Sequence, residues 1–320
     1  MGALSRELPE NFQAALNLAH QLLSRNHSLV EKNVIETESE QIVIAAYRKA
    51  TGQALSRMDL FMRLQDRFPE AAGETVIIYA SARAEGKILQ HLIGYQTFLD
   101  HEYEVGPDVL VPRPETEFLV AIALDEIGRQ FPVRGQPFMG LEIGLGSGAI
   151  AIEILSRFPG ARIFASELTP QAEARAKTNA RRILNQSAVD SARLKVLRAN
   201  DPLEVWQPFE RARAEGALTE PVQFLISNPP YLANEQEVEA EVLNQEPKTA
   251  LFGPAHDPAH FYREIAKGAR NFLEPGAPVY LEIPHERAAL IEGIFTIEGW
   301  KTRIAKDLSG RDRVLSARFP

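Results

Sequence analysis

The fifteen residues "LEIGLGSGAIAIEIL", Leu141 to Leu155, read as an apolar strand, a glycine loop and the start of a helix. Gly144, Gly146 and Gly148 permit a tight turn in which backbone can approach a ligand closely. The helix that opens behind them offers free N–H groups to an anion. Three readings fit this loop alone. Gly144, Gly146 and Ala149 satisfy the relaxed dinucleotide fingerprint. S-adenosylmethionine suits the same cradle. A glycine-rich turn can also join strand to helix with no ligand at all.

Two acidic residues narrow the choice. Glu142 stands two residues before the first glycine, and Glu167 closes the next apolar run, "ARIFASE". A carboxylate at that strand end can accept both hydroxyls of a ribose. Either a nicotinamide dinucleotide or S-adenosylmethionine supplies such a ribose. The discriminating stretch is "FLISNPPYLAN", Phe224 to Asn234. Consecutive prolines remove two backbone donors and fix two φ angles. They also push the preceding Asn228 towards an extended conformation. A strand end built this way holds one amide side chain, the Pro229 carbonyl and an aromatic ring in a stiff turn. Hydride transfer needs nothing of the kind; methylation of a planar NH2 group does. The plain alternative is a loop that only terminates a strand.

Strand and helix signals alternate from Pro114 to the end. "PFMGLEIG", "ARIFASE", "LKVLRAN", "VQFLISN", "APVYLEI" and "RVLSARF" read as strands, with a weaker one near Trp300 to Ile304. Amphipathic helical stretches between them predict an α/β fold: a Rossmann-like, mostly parallel seven-stranded sheet with an antiparallel edge. Residues 1–88 read as a small helical recognition domain: Phe12, Leu16, Ala19 and Leu23 recur at helical spacing. Gly52 is a candidate helix C-cap, and Ser56 with Asp59 a candidate capping box. Residues 89–114, with Asp-His and Gly-Pro-Asp interruptions, read as a linker with short strands, and 115–320 as the catalytic domain.

Composition sets the outer bounds. The chain has 320 residues, 45% hydrophobic and 24% charged, a net charge of -8 and no cysteine. That excludes disulfides, a thiol nucleophile and thiolate metal ligation. No apolar run approaches the ~20 residues of a membrane helix, and the N-terminus lacks a signal-peptide core; a cytoplasmic protein is expected. Acidity argues against direct nucleic-acid binding, because phosphate neutralisation supplies much of that affinity. The basic run "RAKTNARR", Arg175 to Arg182, is expected to be a solvated helix face. His256 and His260 mimic metal spacing, but Pro258 between them breaks the helix that would align them. No metal is expected.

"EIGLGSG" together with "SNPPY" resembles the S-adenosylmethionine-dependent methyltransferases that act on planar nitrogen. More narrowly, "VPRPETE" (Val111 to Glu117), "NQEPKTALFGP" with "FYREI", "LEPGAPVYLEI" and "KDLSGRDRVLSAR" resemble, in order, the release-factor glutamine methyltransferases of the HemK/PrmC type. The resemblance implies methyl transfer from S-adenosyl-L-methionine to a glutamine side-chain amide in the Gly-Gly-Gln motif of a peptide-chain release factor. The related ribosomal-protein glutamine methyltransferases typically have Pro-Arg-Ser-Pro where this chain has "PRPETE". The resemblance further implies cofactor contacts from Gly144, Leu145, Gly146, Ser147, Gly148, Glu167, Asp201, Pro202 and Asn228. Asn228, Pro229, Pro230 and Tyr231 are the implied catalytic turn. In it the Asn228 side-chain oxygen and the Pro229 carbonyl would accept the two N–H groups of the amide, with Tyr231 over its flat face. Glu142, Leu145, Glu167, Pro202 and Pro284 depart from the family's usual residues, Pro284 at the expected rim of the pocket. Arg113 is expected to pair with Glu115 or Glu117. Other readings are a ribosomal-protein glutamine methyltransferase, an amino-methyltransferase acting on adenine or guanine, and a non-catalytic binding module.

Overall fold

The computed structural model describes residues 8–133, 135–184 and 193–320. The chain divides into two compact units, Met1–Gly94 and Tyr95–Pro320. Among the described residues no helix is long and apolar enough to cross a membrane.

The first unit contains α1 (Phe12–Leu23), α2 (His27–Glu31), α3 (Ile35–Thr51), α4 (Arg57–Met62), α5 (Glu70–Ala84) and α6 (Leu89–Ile93). Apolar side chains on one stripe of α1, α3 and α5 pack these three together, burying Phe12, Leu23, Ile42, Val43 and Val76. The Phe12 ring meets Phe68 edge-on at 4.9 Å. Gly52 caps α3 at φ 70, and Ser56 with Asp59 closes the reciprocal capping box of α4. Both were legible from residue type. The long-range ion pair was not: buried Arg83 donates to Glu38 through Nε at 2.9 Å and Nη2 at 3.0 Å.

The second unit opens on a hairpin, β1 (Tyr95–Phe98) and β2 (His101–Glu104), followed by α7 (Pro114–Gln130). Then come β3 (Phe138–Ile143), α8 (Ala149–Arg157), β4 (Ala161–Glu167), α9 (Pro170–Leu184), β5 (Leu194–Arg198), α10 (Gln207–Ala214) and β6 (Phe224–Ser227). Two short helices, α11 (Ala240–Gln245) and α12 (Lys248–Leu251), precede α13 (His260–Gly268) and β7 (Pro278–Glu282). The unit ends with α14 (Ala288–Ile297), β8 (Lys301–Lys306) and β9 (Asp312–Arg318). Seven strands form one sheet in the order β5-β4-β3-β6-β7-β9-β8, parallel except where β9 joins β7 and β8. The expected seven-stranded sheet with an antiparallel edge is what the sequence folds into.

Register places the strand ends. Ile143 lies opposite Ser166 on one side and Ser227 on the other, so β3, β4 and β6 reach their C-terminal ends together. Ser227 Oγ donates to the Ile143 carbonyl at 2.7 Å, fixing that alignment. One sheet face packs Leu141, Leu225, Val279 and Leu281 against Trp206, Phe209, Tyr262 and Phe295. On β3, Gly140 has no room for a side chain: a Cβ there would lie 2.0 Å from Phe224 Cζ, inside the core.

Gly140→Ala should therefore cost about 1–3 kcal/mol of stability, the usual penalty for overpacking a buried site. Denaturant unfolding that leaves the midpoint unchanged would contradict this packing.

Candidate active site

A cavity of about 460 Å³ opens at the C-terminal ends of β3, β4 and β6. In the loop at its first wall, Gly144, Gly146 and Gly148 all have positive φ, at 80, 56 and 85°, which L-residues with a Cβ rarely adopt. Gly144 and Gly146 line the cavity, whereas Gly148 lies off the wall, against Ile152 and Ala176. Their loop is fastened to the end of β4. Gly144 and Leu145 N–H groups donate to the Ser166 carbonyl at 3.1 and 3.0 Å. Gly146 N–H donates to Glu167 Oε2 at 2.9 Å. Glu167 Oε1 accepts from Thr169 N–H at 2.8 Å. A carboxylate has about four lone-pair sites, so this buried, cavity-lining group keeps acceptor capacity beyond its own chain. Beneath the loop, the fully buried Asn179 donates to the Ser147 carbonyl at 2.9 Å and pairs with both backbone groups of Glu104.

A third segment, after β5, contributes Asp201 and Pro202. Asp201 Oδ1 accepts from Leu203 N–H at 2.8 Å, which holds the turn. Val205 and Ile150 add the apolar lining that the exposed Pro202 supplies only in part.

Asn228, Pro229 and Pro230 line the same cavity. Asn228 Nδ2 donates to Thr116 Oγ1 at 2.9 Å. Thr116, in the first turn of α7, donates in turn to Glu282 Oε2 at 2.6 Å. Among the described residues no backbone N–H donates to the Pro229 carbonyl. Burial, above all, pushes the Glu282 carboxyl up to about 7, against the hydrogen bonds from Thr116 and Tyr231 and the charge of Arg313.

Three sequence expectations meet different surroundings. Tyr231 is absent from the cavity wall; its ring packs against the core and its hydroxyl reaches Glu282 Oε1 at 3.4 Å. Arg113 pairs with the buried Glu246 at 2.5 Å rather than with Glu115 or Glu117, because Glu246 also accepts from Val111 N–H at 3.0 Å and sits in reach. Pro284 is buried and lies off the cavity wall. The basic run on α9 is also less free than expected: Arg175 grips Asp108 through two bonds of 3.0 Å, and Lys177 reaches Glu173 at 2.6 Å. His256 lines the cavity rim at φ 57, while the His260 ring stands edge-on to Phe261.

Glu142, which sequence reasoning treated only as part of the motif, is fully buried, and among the described residues no donor meets either carboxyl oxygen in good hydrogen-bond geometry. Burial, and secondarily the Glu167 charge, push its carboxyl well above the usual range, against a smaller pull from the Ala151 N–H.

No family model matches the chain. Among curated proteins, the release factor glutamine methyltransferase of Burkholderia pseudomallei is 34% identical over 268 residues, 83% of this chain and 87% of that one. The protein of the same name from Bacteroides thetaiotaomicron is 33% identical over 235 residues, 72% of this chain and 75% of that one. The chain belongs to the release factor glutamine methyltransferase family. Among solved structures, a release-factor-specific protein-(glutamine-N5) methyltransferase from Alicyclobacillus acidocaldarius is 26% identical, with a TM-score of 0.41 over 68% of this chain and 100% of that one. Family membership agrees with the resemblance carried by "EIGLGSG", "SNPPY" and "VPRPETE".

Glu142 yields a stability prediction whose sign is fixed. Its folded pKa lies above its unfolded one, so its favourable contribution is complete below the ordinary carboxylate range and is lost as pH rises towards the folded value. Glu142→Gln removes that loss. The melting-temperature gap between variant and wild type should widen in the variant's favour from pH 5 to pH 8; a gap independent of pH would show that the carboxyl is not held neutral.

Proposed function

We propose that this chain transfers the methyl group of S-adenosyl-L-methionine to the side-chain amide nitrogen of a glutamine, in the Gly-Gly-Gln motif of a peptide-chain release factor. One observation carries the reading: Asn228 and Pro229 line the same cavity as the glycine loop and Glu167. A methyl-donor wall and an amide-accepting wall thus face one space. Membership of a family whose relatives are named release factor glutamine methyltransferases supports the substrate class.

The residues present fit the cofactor. About 460 Å³ is ordinary for a small-ligand site. Glu167 has acceptor capacity for ribose hydroxyls, the α8 N-terminus behind Gly148 suits a carboxylate, and Asp201, Pro202 and Val205 border space for a flat base. S-adenosyl-L-methionine supplies, when bound, a methyl group already activated on a sulfonium.

The protein's task is then to present the nitrogen. A carboxamide lone pair is delocalised into the carbonyl, the same resonance that flattens peptides. Asn228 Oδ1 and the Pro229 carbonyl accept one N–H each and hold the nitrogen in line with the methyl. The prolines keep both acceptors still. Such alignment is worth up to ~7–11 kcal/mol. No general base and no metal are needed, because the surplus proton departs to water once the N–C bond has formed. We assign the helical unit to recognition of the protein substrate, supported by the exposed Met58, Phe61 and Met62 on α4.

Incubation with methyl-labelled cofactor should label the glutamine of a release factor, and neither its Gly-Gly-Glu variant nor RNA. Label on RNA, or none on protein, overturns the proposal. Asn228→Ala should lower kcat by about 100-fold or more while the cofactor Kd stays within about tenfold; unchanged turnover would remove Asn228 from the chemistry. Glu167→Ala should chiefly weaken cofactor binding, and calorimetry that finds no loss refutes the ribose assignment.

A further inference from the structure

We propose that Thr116 and Glu282 are positioning residues that determine which end of the Asn228 amide faces the cavity. The inference deepens the function proposed above and rests on its premise that Asn228 offers an oxygen to the substrate.

A primary amide has two ends of nearly equal size and opposite character: one accepts hydrogen bonds and the other donates. Shape alone barely distinguishes them. Turned the wrong way, Asn228 would set its own NH2 against the NH2 of a glutamine, two donors facing each other. The polar surroundings must therefore choose the orientation.

Thr116 makes that choice because its hydroxyl has one hydrogen to give. Thr116 Oγ1 stands 2.6 Å from Glu282 Oε2 and 2.9 Å from Asn228 Nδ2. The shorter contact is in the range of a hydroxyl bonded to a carboxylate, and Glu282 in its ionised form, which can only accept, takes the hydrogen. Only lone pairs then face Asn228, so the near end of the amide must be its donor. Oδ1 is left pointing away from Thr116.

Glu282 anchors the relay. It ends β7, is fully buried, and its other oxygen is reached by Tyr231 Oη at 3.4 Å. Its backbone oxygen accepts from Tyr262 Oη at 2.8 Å. Glu115 of α7 and Arg313 of β9 act on it through their charges. Burying a carboxyl group is costly, and an apolar residue would fill the same space more cheaply. What the ionised carboxyl supplies is an acceptor for the Thr116 hydrogen with no hydrogen of its own to give back. The relay joins Thr116 to residues 112 and 166 positions further along the chain, so α7, the turn after β6 and the end of β7 meet at one atom, Thr116 Oγ1.

Thr116→Val keeps the side-chain shape and removes both bonds. In the full-length enzyme, with S-adenosyl-L-methionine and a Gly-Gly-Gln release factor, it should lower kcat at least about tenfold while the cofactor Kd stays within about threefold. Thr116→Ser, which restores the hydroxyl, should recover most of the lost turnover. Glu282→Gln can donate where glutamate accepts, and should also lower kcat without weakening cofactor binding. In the ligand-free protein, NMR of the Asn228 side-chain amide should show its protons protected from exchange in wild type and exposed in Thr116→Val. A Thr116→Val enzyme within twofold of wild-type kcat, a loss that serine does not restore, or equal protection of the amide protons overturns the proposal. If Thr116→Val fails to fold, Glu282→Gln carries the same kinetic and NMR test. If the wild-type enzyme methylates no glutamine, the proposed function falls, and the NMR comparison still decides the relay.

Discussion

Everything at the site depends on three parallel strands ending level. Ile143 is opposite both Ser166 and Ser227, and the Ser227 hydroxyl bonds back to Ile143. Because β4 and β6 flank β3 on opposite sides, the chain leaves the sheet in diverging directions here, which opens a crevice at a topological switch point. The glycine loop after β3, Glu167 at the end of β4 and Asn228 after β6 thereby become neighbours. A slip of one residue between β3 and β6 would turn every side chain of β6 to the other face and separate the amide from the glycine loop.

Several buried carboxyl groups surround that crevice, and they differ in how they are satisfied. Glu246 has Arg113 and the Val111 N–H, which oppose the upward push of burial. Glu282 has neutral donors and a more distant cation, and burial wins. Glu142 has only the pull of the Ala151 N–H against burial and the Glu167 charge, and is held well above the usual range. In each case desolvation is the largest influence, and the supply of donors decides how far it is offset. Glu167 differs in keeping two backbone donors while lining the cavity.

Local chemistry made much of this legible. Glycines at positive φ, an acid at the next strand end and paired prolines after an apolar run all act over a few residues, so their spacing in the sequence is their spacing in space. The helix stop at Gly52 and the cap at Ser56 belong to the same class. Long-range partners were not legible. Thr116 and Glu282 both lie within motifs recognised in the sequence, yet nothing local marks them as hydrogen-bonded to one another or to Asn228. Arg113 was assigned to acids two and four residues away; the fold brought up Glu246 instead. Tyr231 is adjacent to the prolines, but the chain direction after Pro230 sends its ring to the core and not over the cavity.

The most direct test is a crystal structure with the demethylated cofactor and a glutamine-containing release-factor peptide bound together. The account predicts the glutamine nitrogen about 3 Å from both Asn228 Oδ1 and the Pro229 carbonyl, with the cofactor sulfur on the far side of the same nitrogen. An Asn228 oxygen turned away from the peptide, or a glutamine seated elsewhere in the cavity, would contradict it.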